Sequence, residues 1–189
     1  MKGVNIFLAQ GFEDVEALAT NDVLRRGGVR TNLISISDEP FVVSSHGVTV
    51  GVEDFFPEMD IDHGGTTSRD VMIFPGGMPG SRNLGACKAL IAAMRDHYAA
   101  GGSLAAICAA PALVLSQLEL PSDFEFTCFE GFQDALTAKG ASYNPVPAVS
   151  FGRIITGRSA GAAVEFALAV LEHIKGAEAA AEVRKALFP

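Results

Sequence analysis

The stretch Ser103-Leu104-Ala105-Ala106-Ile107-Cys108-Ala109-Ala110-Pro111 decides the fold. Ser103 to Ile107 is an uncharged run of strand length, and Pro111 suits the first turn of a helix. The run lacks alternation of polar and apolar residues. Strands apolar on both faces belong in a parallel sheet covered by helices. A thiol therefore stands where a buried strand meets a helix start. Ala106 and Ala110 lie two residues before and after it. A nucleophile elbow needs small residues there, because the sharp turn brings the flanking side chains together. Alanine replaces glycine at both places, so the pattern is looser than G-x-C-x-G. The competing reading is a small cysteine buried in the core.

The same strand–helix alternation extends outward. Gly3–Ala9 reads as a strand, and Glu13–Arg26 as a helix with Val15, Leu18, Ala19, Val23 and Leu24 at helical spacing. Its acids come first and Arg25 and Arg26 last, which suits the helix dipole. Thr31–Ile36 and Val71–Phe74 are further strands. Phe41–Val43 and Val48–Val52 form a hairpin around Ser44-Ser45-His46-Gly47. Asp60–Asp70 reads as a loop, Ala86–Ala100 as a helix, Phe124–Phe129 as a strand and Gln133–Ala138 as a short helix. Val146–Val149 and Arg153–Thr156 are late strands, and Ala160–Ile174 and Ala177–Ala186 are helices. The pattern predicts one doubly wound α/β domain over residues 1–189, with a mostly parallel sheet and helices on both faces. Ligands of such sheets bind at the carboxyl ends of the strands. That edge would gather the loops Gln10–Glu16, Pro75–Gly80 and Ile107–Pro111.

Composition narrows the function. Of 189 residues, 49% are hydrophobic and 19% charged, which excludes a disordered chain. The net charge of -8 opposes phosphate backbones and anionic membrane surfaces, so neither nucleic acid nor membrane is an expected partner. The apolar run Leu104–Leu115 is well short of the ~20 residues that span a bilayer. The apolar run at the N-terminus is too short for a signal segment. The 3 cysteines have no zinc-type spacing, so no metal is expected, and a reducing cytoplasm is the expected compartment.

A thiolate attacking a carbonyl needs donors for the developing oxyanion. Pro75-Gly76-Gly77-Met78-Pro79-Gly80 can present backbone N–H groups, as can Ala109, although a glycine run alone is also an ordinary tight turn. It matches neither a dinucleotide fingerprint nor a P-loop. A helix N-terminus behind Cys108 would lower the thiol pKa. A nearby carboxyl would have its own pKa raised and could hold a proton. Glu13, Asp14 and Glu16 all qualify, and all three equally suit a solvated first turn. His173 is the only histidine after Cys108 and reads as a surface residue of the last long helix. His46, His63 and His97 read as solvent-facing, which leaves no evident triad. Cys87 reads as a helix-start or core residue, and Cys128 as a strand-end residue that could approach the same edge.

Four motifs then occur in a telling order: Gly11-Phe12-Glu13-Asp14-Val15-Glu16-Ala17, Pro75-Gly76-Gly77, Ala105 to Pro111, and Ile155-Thr156-Gly157-Arg158-Ser159-Ala160-Gly161. Together they resemble the ThiJ/PfpI superfamily, in the branch of the Parkinson-disease-associated protein deglycase, over nearly the whole chain. The resemblance implies a flavodoxin-like sandwich, a homodimer and no cofactor. It implies Cys108 as the reactive cysteine and Glu16 as its protonated partner. The Gly77 and Ala109 amides, beside Gly76, would form the oxyanion pocket, and Arg26 would approach the partner subunit's site. It further implies glyoxalase III-type or deglycase chemistry on a small-molecule carbonyl substrate such as methylglyoxal. The alternative it carries is a redox sensor or stress chaperone with little turnover. The protease branch has His after the cysteine. This chain has Ala109, so a peptidase is not expected. Where some relatives carry a pocket histidine, this chain has Cys128 and Phe129.

Overall fold

The structure is a computed structural model describing residues 1–59, 61 and 64–188. Part of the expected Asp60–Asp70 loop, and the exposure expected of His63, lie outside the described residues.

In chain order the elements are β1 (Val4–Leu8), α1 (Asp14–Arg26), β2 (Thr31–Ser35), β3 (Phe41–Val43), β4 (Thr49–Gly51), β5 (Asp54–Phe55) and β6 (Val71–Phe74). There follow α2 (Gly80–Ala86), α3 (Lys88–Ala99), β7 (Ser103–Ile107), α4 (Ala110–Leu113), β8 (Glu125–Phe126) and α5 (Asp134–Thr137). The last are β9 (Ser142–Tyr143), β10 (Ala148–Phe151), β11 (Ile154–Gly157), α6 (Ala163–Lys175) and α7 (Ala177–Leu187). A 7-stranded sheet runs β10-β11-β7-β6-β1-β2-β5. Its pairs are parallel except β10 with β11.

The doubly apolar strands bury side chains on both faces. Phe7, Phe74 and Ala106 point into one core with Leu84, Leu90, Met94 and Val114. Their neighbours Ile6, Leu8, Ile73, Ala105 and Ile107 point into the other with Leu24, Phe166 and Leu171. Each fully buried large side chain of this kind contributes roughly 1.5–3 kcal/mol. Two helical layers thus cover the sheet, α1, α6 and α7 on one face and α2, α3 and α4 on the other.

Several expected elements differ. The helix expected over Ala86–Ala100 is α3, and a further helix that was not expected, α2, precedes it and ends at Cys87, whose ψ of 91° is extended. The helix behind the thiol is short: α4 ends at Leu113 and passes into a 3-10 turn, Leu115–Gln117. The strand expected over Phe124–Phe129 shrinks to β8, which pairs with β9 outside the main sheet. In α1 the buried residues are Glu16, Ala17, Thr20, Val23 and Leu24, while Val15 is 49% exposed. The inward stripe is therefore rotated from the one that apolar residues alone suggested, because a carboxyl and a hydroxyl are part of it.

Candidate active site

Three loops meet at the carboxyl edge of the sheet, as expected. Cys108 follows β7 with φ +65°, the only positive φ of a non-glycine residue among those described. An L-residue avoids this region, and such strain persists only where surroundings enforce it. Two main-chain bonds enforce it here. The Cys108 N–H donates to Gly157 O at 2.9 Å, and Cys108 O accepts from Phe129 N–H at 2.8 Å. Ala106 and Ala110 are fully buried against the turn. The thiol itself is half-buried.

The structure separates the three acids that the sequence left equivalent. Glu13 is the N-cap of α1, and its Oε2 accepts from Glu16 N–H at 2.7 Å. Asp14 points outward, with its Oδ1 2.7 Å from His46 Nδ1. Glu16 turns inward and is 1% exposed. Its Oε2 accepts from Gly76 N–H at 2.7 Å. Its Oε1 is the one buried side-chain oxygen or nitrogen without a hydrogen-bond partner among the described residues. The Cys108 thiol faces the same carboxyl group.

Gly76 and Gly77 close the site by what they lack. A Cβ on Gly76 would collide with Glu16 Oε2 and lie 2.5 Å from Cys108 Cβ and 3.0 Å from its sulfur. Gly77 has φ +89°, and a Cβ there would lie 2.6 Å from the carbonyl carbon of Phe12. The Gly77 and Ala109 N–H groups are directed at the Cys108 sulfur. The residues assigned by resemblance, Cys108, Glu16, Gly76, Gly77 and Ala109, are thus brought together. Arg26 is not among them. It lies ~15 Å along α1 from Glu16, exposed and ion-paired with Asp22 at 2.6 Å.

Burial pushes the Glu16 carboxyl up to about 7; the charge of Glu13 adds to this, while the Cys108 thiol and the Gly76 N–H oppose it. Burial also pushes the Cys108 thiol up, to about 12, with Glu16 adding to the effect and the Gly77 and Ala109 N–H groups opposing it. This corrects the expected low thiol pKa. A helix as short as α4 has too weak a dipole to offset desolvation beside a carboxylate. The two groups titrate as a unit, and burial raises both members of the pair. A carboxyl group raised toward neutrality beside a thiol is suited to move a proton to and from the sulfur.

Other sequence readings change too. His97 is fully buried rather than solvent-facing, and His173 is half-buried. Both serve the opposite edge of the sheet. Cys128 is fully buried, with its sulfur 3.4 Å from Phe129 O. Glu13, Asp14 and His46 bring three ligand-type atoms within 4.8 Å of one another, but they are engaged with each other and the helix. A groove of about 390 Å³ over α6 and α7, lined by Glu165, Leu168, Ala180 and Arg184, contains no thiol and no buried acid. No helix among the described residues is long and apolar enough to cross a membrane.

A doubly wound sheet with a strained elbow cysteine against a buried carboxyl defines a class of α/β elbow-cysteine proteins. The DJ-1/PfpI family model matches residues 2–173, and the chain belongs to that family. It is 31% identical over 187 residues to protein dj-1beta of Drosophila melanogaster, covering 99% of this chain and 97% of the relative. It is 32% identical to protein DJ-1 homolog A of Arabidopsis thaliana, of which it spans 46% while 99% of this chain is covered. It is 31% identical over 166 residues to a Caenorhabditis elegans protein named glutathione-independent glyoxalase DJR-1.2, covering 88% of this chain and 84% of the relative. The family therefore includes glyoxalase-type enzymes. Oxidized DJ-1 of Toxoplasma gondii superposes with a TM-score of 0.87 at 29% identity, covering 99% of this chain and 98% of that one.

Proposed function

We propose that the protein is a cysteine-dependent glyoxalase that needs no cofactor and acts on small α-oxoaldehydes such as methylglyoxal, or on their adducts in a deglycase reaction. The observation that carries this reading is the buried Glu16 carboxyl, held by the Gly76 N–H and facing the Cys108 thiol on its strained elbow.

Glu16 carboxylate takes the thiol proton as Cys108 sulfur bonds the aldehyde carbon. The aldehyde oxygen becomes an oxyanion within reach of the Gly77 and Ala109 N–H groups and is protonated to give the hemithioacetal. Glu16, again a carboxylate, removes the proton from the former aldehyde carbon, giving an enediolate. It returns that proton to the neighbouring carbon, while the hydroxyl proton passes from the first oxygen to the second. The product is a lactoyl thioester on Cys108, an isomer of the adduct, so no outside oxidant or reductant is needed. Water then cleaves the thioester, releasing lactate and restoring the thiol.

The same proposal includes a homodimer in a reducing compartment, with Arg26 facing the partner. The test is lactate formation from methylglyoxal by wild type, Cys108→Ser and Glu16→Gln. Loss of at least ~10²-fold in both variants is expected; wild-type-like rates in either would overturn the assignment.

A further inference from the structure

The first turn of α1 holds more charge than the proposed chemistry uses. Glu13 is clamped at two points: its N–H donates to Gly76 O at 3.0 Å, and its Oε2 accepts from Glu16 N–H at 2.7 Å. Its side chain is only 13% exposed. A plain helix cap is better served by Ser, Thr, Asp or Asn, so a nearly buried glutamate there invites a second explanation. On its outer side stands His46, with Nδ1 2.7 Å from Asp14 Oδ1 and 3.9 Å from Glu13 Oε1. His46 sits on the β3–β4 turn, which is docked on the β1–α1 loop by Ser45 N–H donating to Phe12 O at 2.8 Å. An exposed cation and two acids thus form a line ending at the Glu16 main chain.

We propose that Glu13 is a positioning residue that sets the acidity of the Glu16–Cys108 pair, and that the Asp14–His46 ion pair couples this setting to protonation of the exposed hairpin. The inference rests on the reading of Glu16 as the partner of Cys108. Around Glu16 stand Cys108 from the elbow, Gly76 N–H from the loop after β6, and Glu13 from its own helix, with Asp14 and His46 further out. The negative charge of Glu13 opposes a second one on Glu16, so the proton stays on Glu16 to higher pH. His46, kept protonated to higher pH by Asp14, works the other way. Two unit charges ~6 Å apart move each other's titration by about 0.5 pH unit in water-like surroundings and about 2 at an effective dielectric of 20.

The test is the pH dependence of Cys108 alkylation by iodoacetamide in the full-length protein, a readout that needs no turnover. The inflection belonging to Glu16 should vanish in Glu16→Gln. Glu13→Gln keeps a capping oxygen and deletes the charge, so the inflection should move down by about 0.5–2 units. His46→Gln should move it up by about a few tenths of a unit at low salt and not at 1 M salt. An inflection that stays or rises in Glu13→Gln overturns the role of Glu13. If that variant does not fold, His46→Gln on the exposed turn decides alone: no shift, or a downward one, overturns the coupling. An inflection unchanged in Glu16→Gln overturns the pairing itself. The expected shifts in a protein that makes no lactate would uphold this inference while removing the glyoxalase reading.

Discussion

The two edges of the central sheet treat buried polar groups in opposite ways. At the amino-terminal edge, His97 Nε2 lies 3.1 Å from Asp70 O and 3.2 Å from Ser103 O. Its Nδ1 lies 3.4 Å from the Met1 ammonium, which also donates to Thr66 Oγ1 at 3.3 Å. Ser103 Oγ donates to Ser68 O at 2.8 Å and lies 2.8 Å from His173 Nε2. This pattern fixes the His97 proton on Nε2, so that Nδ1 accepts from the ammonium. At the carboxyl-terminal edge, Glu16 Oε1 is buried without a partner and Cys108 is held at positive φ. Paired groups at one edge stabilise the fold. A buried acid with one unpaired oxygen and a strained thiol at the other cost stability and are kept where chemistry can use them.

The contrast breaks if either edge behaves like the other. Cys108→Ser should lower kcat/KM on methylglyoxal by at least ~10³-fold, the scale of a lost nucleophile, while thermal unfolding stays near wild type. Glu16→Gln should be more stable than wild type at pH 8, by up to about 3 kcal/mol. The sign follows from the raised carboxyl. Unfolded Glu16 gives up its proton near 4.5 and folded Glu16 near 7, so wild-type stability is full below the first value and falls as pH rises through the second. The advantage should therefore vanish near pH 4.5, and melts across this range would reveal an advantage independent of pH, which would sink the account. His97→Leu should cost about 2 kcal/mol in chemical denaturation, since buried donors and acceptors lose a partner, yet leave Cys108 alkylation unchanged. Ser103→Ala should cost about 1 kcal/mol by the same measurement. A changed alkylation rate in either variant would show that the two edges are not separate.

Much of the fold was legible because its strands are apolar on both faces. Val71–Phe74 and Ser103–Ile107 are strands over the residues expected, and each faces both cores. The elbow was legible because small residues on both sides of a thiol at a strand end have few other uses. Elements held by partners distant in sequence were less so. β5 pairs only through Ile34 and Ser35 of β2, and β8 and β9 pair with each other outside the main sheet. The end of the helix after the thiol was not legible: it closes at Leu113 and the chain passes into a 3-10 turn at Leu115. His97 was misplaced because an isolated polar residue on a helix reads as exposed until the carbonyls and the chain terminus that surround it are known.

Glu16 marks the boundary between the two kinds of information. Its spacing was already suggestive: Glu16, Thr20 and Val23 share one helical face with Ala17 and Leu24. Residue order, composition and hydrophobic period thus determined the layered α/β architecture, the elbow cysteine and the three loops at its edge, since these follow from local sterics and from burial along the chain. Only the folded chain decided which of three neighbouring acids meets the sulfur, that burial raises both members of that pair, and which histidines are buried. The first two depend on desolvation and on groups brought together from residues 13, 16, 76 and 108, the third on carbonyls from residues 70 and 103, and proximity across such separations exists only once the sheet has formed.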